Sequence, residues 1–476
     1  MKRAAVFFAA CLALSIGAAE DEPPPIGVRA IGEGELTGIE AIFPGRILSV
    51  TAPLDRDGRR IPLVLIDPED DPGGPRRIFT ASEKDGMVEL ARGLPPAVNA
   101  LGALDLGGGP AEEVIAAEPG RLYNLGSVRR AGRPLAPPEP LFERPGIDLR
   151  LPGRELFRPA FAADRPLALS RLGEFFLLES DGEGGLRERI RVELPIAASR
   201  RSWGLELRSP QSTELEDLGL YLAGPEEAGP ARLRTLVIDP KTGRGQEAFS
   251  RLPGREAVAG SWYVDLDGRP TLVAATLDAE KVGIFEKQRL RFFHLATGDR
   301  SRSGHRPSFE LETASRRWQP LGLHVGDVDG DGHDDLILIQ PQGLGGGDLL
   351  VDVYNGRGTG RFDGRPRRVE LDDVDTERWL YGLGRDTLDL DEDGFGELVT
   401  LDGEGVLSVF AGQRDRRGRI VERRPRWKLE LGEPFGRGAP PAAIDLENDG
   451  GPSELVVIAG GDRGRLAIAA FGKGAP

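Results

Sequence analysis

Residues 326 to 339 read "GDVDGDGHDDLILI". Five of the fourteen are aspartates, and four strand-forming residues follow them directly. Like charges repel, and a buried strand excludes them. Such a loop is therefore either fully solvated or built around something positive. Numbered from Asp327, the acids fall at positions one, three, five and nine: Asp327, Asp329, Asp331 and Asp335. Gly332 at position six permits a sharp bend. Alternate carboxylates in a tight turn converge on one centre and suit Ca²⁺, which takes six to eight oxygen ligands at about 2.3–2.6 Å. His333 at position seven would offer its backbone carbonyl.

The pattern recurs. "DLDEDGFGELVTL" (389–401) places Asp389, Asp391 and Asp393 at one, three and five, the Phe395 carbonyl at seven and Glu397 at nine. "DLENDGGPSELVVIAG" (445–460) keeps Asp445 and Asp449, with Glu447 at three, but position nine is Ser453 and Glu454 comes one place late. "DLDGRPTLVAAT" (265–276) and "DLGGGPAEEVIAA" (105–117) keep the outline and lack most of the acids; these read as turns of the same shape without metal. "DPEDDPGG" (67–74), broken by prolines, reads as a solvated turn. An EF-hand shares the opening of the pattern but needs a glutamate at position twelve and a helix after it. Position twelve is Leu338 in one loop and Thr400 in the next, both inside strand-like runs.

The first aspartates of four loops, Asp265, Asp327, Asp389 and Asp445, stand 62, 62 and 56 residues apart. A fixed period indicates stacked or circular units. A period near 60 holds four strands of about 5–6 residues with their turns, the content of a propeller blade. Trp318 and Trp379 keep a similar spacing. Between residues 105 and 265 the motif fades, but "PLALSRLGEFFLLES" (166–180), "RIRVELPIA" (189–197) and "RLRTLVID" (232–239) read as strands. The expected fold is all-β: a β-propeller of about seven four-stranded blades, one domain over residues 30–476, with calcium-binding loops. A division into two unrelated domains near residue 260 is the rival organisation.

The D-x-D-x-D-G-x-x-D loop entering an apolar strand, followed by the glycine-rich hairpin "VYNGRGTGRF" (353–362), resembles the FG-GAP or VCBS repeats of integrin-α-type β-propellers. The recognisable repeats cover about residues 260–476, with degenerate blades before them. The resemblance implies structural calcium and a platform for protein or glycan ligands.

Composition agrees with many short strands: 66 glycines and 38 prolines punctuate the chain too often for long helices. A net charge of −15 with no basic block excludes nucleic acid as a natural partner. Residues 1–19 read as a secretory signal: Lys2 and Arg3, an apolar run from Ala4 to Ile16, then small residues. Residues 20–29, acidic and proline-rich, read as an extended linker. The single cysteine, Cys11, lies inside the signal, so the mature chain would hold no disulfide; a lipid anchor on Cys11 is the rival reading. No later stretch is apolar enough to span a membrane as a helix. A secreted or periplasmic monomer is expected.

Among the four histidines there is no H-E-x-x-H, and there is no G-x-S-x-G elbow or P-loop. The glycine-rich "GLGGGD" (343–348) reads as a hairpin turn. The expected role is a binding scaffold without catalysis. A propeller enzyme acting on polysaccharide and a structural envelope protein are the alternatives.

Overall fold

The computed structural model describes residues 26–33, 35–82, 84–128, 133–144, 147–148, 167–171, 174–193, 204–207, 218–224, 232–238, 245–251, 257–266, 269–282, 285–295, 309–312, 322–326, 328–329, 331, 333, 335–341, 349–357, 362–372, 381–382, 390–391, 393, 395–412, 421–432, 435, 442–444, 446, 454–459 and 464–471. The expected signal, the expected linker up to residue 25 and the hairpin 343–348 lie outside them.

Among the described residues, seven sheets are four-stranded antiparallel meanders whose strands follow in chain order, and the eighth joins strands from both ends of the described chain. β1 (Gly27–Glu33) and β2 (Leu36–Ile42) are the first described strands. Blade one is β3 (Gly45–Thr51), β4 (Leu63–Pro68), β5 (Arg76–Ser82) and β6 (Gly86–Leu94). Blade two is β7 (Ala100–Leu104), β8 (Glu113–Glu118), β9 (Arg121–Ser127) and β10 (Glu139–Glu143). Blade three is β11 (Ile147–Asp148), β12 (Leu167–Arg171), β13 (Glu174–Ser180) and β14 (Leu186–Glu193). Blade four is β15 (Gly204–Leu207), β16 (Leu218–Gly224), β17 (Arg232–Ile238) and β18 (Gly245–Arg251). Blade five is β19 (Ala257–Leu266), β20 (Arg269–Val282), β21 (Phe285–Leu295) and β22 (Phe309–Glu312). Blade six is β23 (Gly322–Gly326), β24 (Asp335–Pro341), β25 (Leu349–Tyr354) and β26 (Arg367–Leu371). Blade seven is β27 (Tyr381–Gly382), β28 (Leu398–Leu401), β29 (Val406–Phe410) and β30 (Trp427–Glu430). Blade eight combines β31 (Ala442–Ile444), β32 (Glu454–Ala459) and β33 (Arg465–Phe471) with β2 and β1, in the order β31-β32-β33-β2-β1.

The fold is a β-propeller. Successive side chains of a strand point to opposite faces, so a strand buried on both faces must feed two cores. In β4, Val64 and Ile66 pack toward blade eight while Leu63 and Leu65 pack toward blade two. In β8, Val114 and Ala116 join blade one, and Ile115 and Ala117 join a core with Leu178 of blade three. Ile337, Ile339, Val351 and Val353 of blade six meet Leu398 and Phe410 of blade seven. Val399, Leu401, Leu407 and Val409 turn the other way, onto Leu455 and Val457 of blade eight. Blade eight then presents Val456 and Ile458 to blade one. Phe292 of blade five meets Phe362 beyond β25 edge to face at 5.9 Å. Continuous apolar runs such as "LILI" and "LVVIA" follow directly from this double burial, and each fully buried Leu, Ile or Val contributes about 1.5–3 kcal/mol.

Among the described residues there are eight sheets, where the sequence reading expects about seven. The difference lies at the N-terminus. Residues 45–94 form a whole blade whose loop after β3 has no acidic closure, so no motif marks it. Residues 27–42 belong to the last blade. Gly27 to Arg29, assigned to the linker from sequence, pair with Ile42, Ala41 and Glu40 in β2. β2 in turn pairs with β33 from Leu36↔Phe471 to Ile42↔Arg465. The two ends of the chain thus share one sheet. Buried Glu40 clamps this closure: it accepts from Arg29 of β1 at 2.6 Å and lies 3.5 Å from Arg465 of β33.

Candidate metal centre

Each acidic loop connects the first and second strands of its blade, and it begins with the same device. The residue after the first aspartate is an apolar plug: Leu106, Val328 and Leu390 are at most 1 % exposed, and Leu446 of blade eight is half-buried. A plug buried at a strand end has a backbone N–H with no strand partner, and an unpaired buried donor is costly. The closing acid accepts it. Val328 N donates to Asp335 Oδ2 at 3.2 Å, Leu106 N to Glu113 Oε2 at 2.9 Å and Leu446 N to Glu454 Oε2 at 2.8 Å. Leu390 N donates to Glu397 Oε2. Glu454, one place late in sequence, therefore fills the closing role that Ser453 lacks the carboxylate to fill.

The closing acids of blades six and seven reach a second element. Asp335 Oδ1 accepts Gly356 N at 2.8 Å, and Glu397 Oε1 accepts Gly412 N at 3.4 Å. Both glycines open the hairpin after the third strand, paired as Gly356↔Phe362 and Gly412↔Val421. A Cβ on Gly412 would stand 2.5 Å from the Gly396 carbonyl oxygen, so the close approach excludes any side chain. The hairpin and the aspartate loop, separate in the sequence, form one unit. β24 and β28 follow the loops directly, so a strand stands where an EF-hand has its helix.

Within blade seven, single carboxylate oxygens of Asp391, Asp393 and Glu397 lie within 4.8 Å of one another. Asp391 Oδ1 accepts Asp393 N at 3.3 Å and Asp393 Oδ1 accepts Phe395 N at 2.9 Å. Blade six repeats the last bond: Asp331 Oδ1 accepts His333 N at 2.9 Å. There Asp329 is buried, and its Oδ2 accepts Asn355 Nδ2 at 2.7 Å while its Oδ1 has no hydrogen-bond partner. Asp327, Asp389, Asp445, Glu447 and Asp449 lie outside the described residues.

Burial pushes the Glu397 carboxyl up to about 8; bonds from Leu390 and Gly412 oppose the shift, and the charges of Asp391 and Asp393 add to it. Its folded value stands above the ordinary 4.5, so its contribution to stability is full below that value and is lost as pH rises through about 8. Melting in chelator is expected to fall from about pH 5 to about pH 9 more steeply for the natural chain than for Glu397→Gln, which has no such proton to lose. Equal slopes would remove Glu397 as the source.

The donor set fits a hard divalent cation. In blade seven it consists of three carboxylates whose oxygens lie within 4.8 Å of one another, one of them pushed up first by burial and then by the charges of the other two; in blade six one buried Asp329 oxygen has no hydrogen-bond partner. Sequence reasoning missed two parts of the site. The plug-to-acid bond has a signal in the apolar residue at position two. The arginines described below leave a signal only when blades are aligned on their fourth strands.

No family model matches the chain, and no curated protein matches it. Several solved structures resemble it. Saccharomyces cerevisiae Sqt1 is 10% identical over 90% of this chain and 97% of that one, with a TM-score of 0.45. Chaetomium thermophilum Sqt1 bound to the N-terminus of the ribosomal protein L10 is 12% identical over 90% and 98%, with a TM-score of 0.47. BBS1N in complex with ARL6DN is 12% identical over 79% and 92%, with a TM-score of 0.38. At these identities and scores the likeness bears on neither ligand nor activity; the propeller is established by strand order and by the packing between neighbouring blades that the described side chains show.

Proposed function

We propose that this chain is an exported, calcium-stabilised β-propeller of the FG-GAP/VCBS kind that acts as a binding scaffold for a protein or glycan ligand and has no catalysis of its own. The observation that carries the calcium reading is the cluster of Asp391, Asp393 and Glu397 beside buried Leu390; in blade six the support is the buried Asp329 oxygen without a hydrogen-bond partner. The cation would be held in blade seven by Asp389, Asp391, Asp393, the Phe395 carbonyl and Glu397. In blade six the holders would be Asp327, Asp329, Asp331, the His333 carbonyl and Asp335. Asp445, Glu447 and Asp449 would form a third, less complete set. What calcium supplies is charge: it neutralises carboxylates that the turns need for their shape. The scaffold role is supported by the family resemblance, the signal-like N-terminus and the apolar filling between blades, which leaves ligand contact to the loops.

Two sites with dissociation constants on the order of 10⁻⁴ to 10⁻³ M should raise the melting temperature by roughly 2–4 °C at about 5 mM Ca²⁺ relative to chelator. Asp393→Ala should remove about half of that shift. An unmoved melting curve in both proteins would end the calcium reading. For the scaffold, pull-down from envelope extract with and without chelator, beside a glycan array, is expected to yield a calcium-dependent ligand. Turnover of a defined polysaccharide by the purified chain would instead make it an enzyme.

A further inference from the structure

Blades five, six and seven share a step just ahead of their fourth strands. It reads Arg306-Pro307-Ser308, Arg365-Pro366-Arg367 and Arg424-Pro425-Arg426, and its spacing is 59 residues both times. The residue after the proline differs between blades, and it differs with the loop. Blade five joins its first two strands by a tight hairpin in which Leu266 pairs with Arg269, leaving no room for a nine-position loop, and it has Ser308. Blades six and seven have carboxylate loops, and they have Arg367 and Arg426.

The structure brings these arginines onto equivalent carboxylates. Arg367 Nη1 lies 3.8 Å from Asp329 Oδ2, and Arg426 Nη1 lies 3.4 Å from Asp391 Oδ2. Both aspartates hold position three of their loops. Arg367 Nη1 is buried and makes no hydrogen bond, so it meets Asp329 as a charge and not as a donor. Arg426 is held from two further sides, by Glu422 Oε1 at 2.6 Å and by the Trp427 ring 5.0 Å below its guanidinium. The preceding proline fixes its own φ. An arginine stays charged at every pH the protein meets.

We propose that Arg367 and Arg426 are tethered counter-cations that set the calcium affinity of the two loops. The inference rests on the calcium reading above. When no cation is bound, each guanidinium offsets its position-three aspartate and lets the blade keep its shape. When Ca²⁺ enters, the same aspartate must serve both charges, and the arginine repels the ion. The two effects have one origin: whatever the arginine contributes to the metal-free fold, it removes from calcium binding.

The test is a calorimetric Ca²⁺ titration of the full chain beside Arg426→Gln and Arg426→Lys, with melting curves in chelator. At a half-exposed site the loss of one nearby charge is expected to tighten the titrated affinity about three- to tenfold for Arg426→Gln. The same variant should melt lower in chelator and show the larger calcium-induced shift. Arg426→Lys, which keeps the charge, should stay near the natural affinity. Arg367→Gln provides the same reading in blade six should Arg426→Gln fail to fold. Unchanged or weakened affinity in the glutamine variants, with the natural chain still binding, would overturn the proposal. If the natural chain takes up no Ca²⁺ in this titration, the calcium reading itself fails and the arginines lose this role with it.

Discussion

Truncation after Gly464 is expected to abolish cooperative folding. The deletion removes β33, an interior strand of the five-stranded sheet. On one side β33 pairs with β2 through seven residue pairs, from Arg465↔Ile42 to Phe471↔Leu36. On the other it pairs with β32 from Arg465↔Ala459 to Ala469↔Leu455. Leu466 and Ile468 also fill the core toward blade one, and Ala467 and Ala469 fill the core toward blade seven. A ladder hydrogen bond is worth about 0.5–1.5 kcal/mol net, and each large buried side chain about 1.5–3 kcal/mol. Their sum is on the order of 10 kcal/mol, comparable with the whole stability of a typical domain. The truncated chain should show no unfolding transition in circular dichroism and should be digested by protease under conditions that spare the full chain. A cooperative melt at the midpoint of the full chain would refute ring closure through β33.

Asp335→Ala should be among the most damaging point substitutions, and it should be so without calcium. Asp335 is fully buried and accepts two backbone donors, Val328 N and Gly356 N. Alanine leaves both N–H groups buried and unpaired, at about 1–3 kcal/mol each. Urea unfolding in chelator should therefore report a loss of about 2–6 kcal/mol. Asp335→Asn retains one acceptor oxygen and should lose less. Asp331→Ala separates this role from the proposed metal binding: Asp331 is exposed, so its removal in chelator should cost within about 0.5 kcal/mol. With calcium added, both variants should lose the protection proposed for that loop. If Asp331→Ala and Asp335→Ala were equally damaging in chelator, the closing acid would not be the latch between loop and hairpin.

The contrast between these aspartates separates a structural role from the proposed metal role within one residue type. Positions three and five carry the carboxylates proposed for a cation, and their hydrogen bonds run to their own turn and to side chains such as Asn355 and Arg426. Position nine holds the plug's N–H whether or not other acids remain. Blade two makes the point: Gly107 and Gly109 stand where the other loops have aspartates, and Glu113 still accepts Leu106 N. Asp105 there turns inward on the loop, accepting Gly107 N at 3.1 Å and Gly108 N at 2.6 Å. The turn shape is thus maintained in a loop that has lost positions three and five.

Strand content, the unit of four strands and the aspartate loops were legible in the residues because each is local. Alternation, turn chemistry and a period near 60 depend on neighbours a few residues apart, and they predict β24 after Asp335 and β28 after Glu397 without any knowledge of the whole. Blades three and four illustrate the limit of that reading. Their strands could be placed near 166–180, 189–197 and 232–239, but no loop motif assigned them to blades. The eight-fold count, the pairing of Leu36 with Phe471 and the burial that lifts Glu397 depend on residues far apart in the chain. A ring closes only when every blade has taken its place, so no window of sequence contains the closure. Arg426 meets Asp391 for the same reason. Thirty-five residues separate them, and only the folding of blade seven onto itself brings the guanidinium of one strand to the carboxylate of another loop.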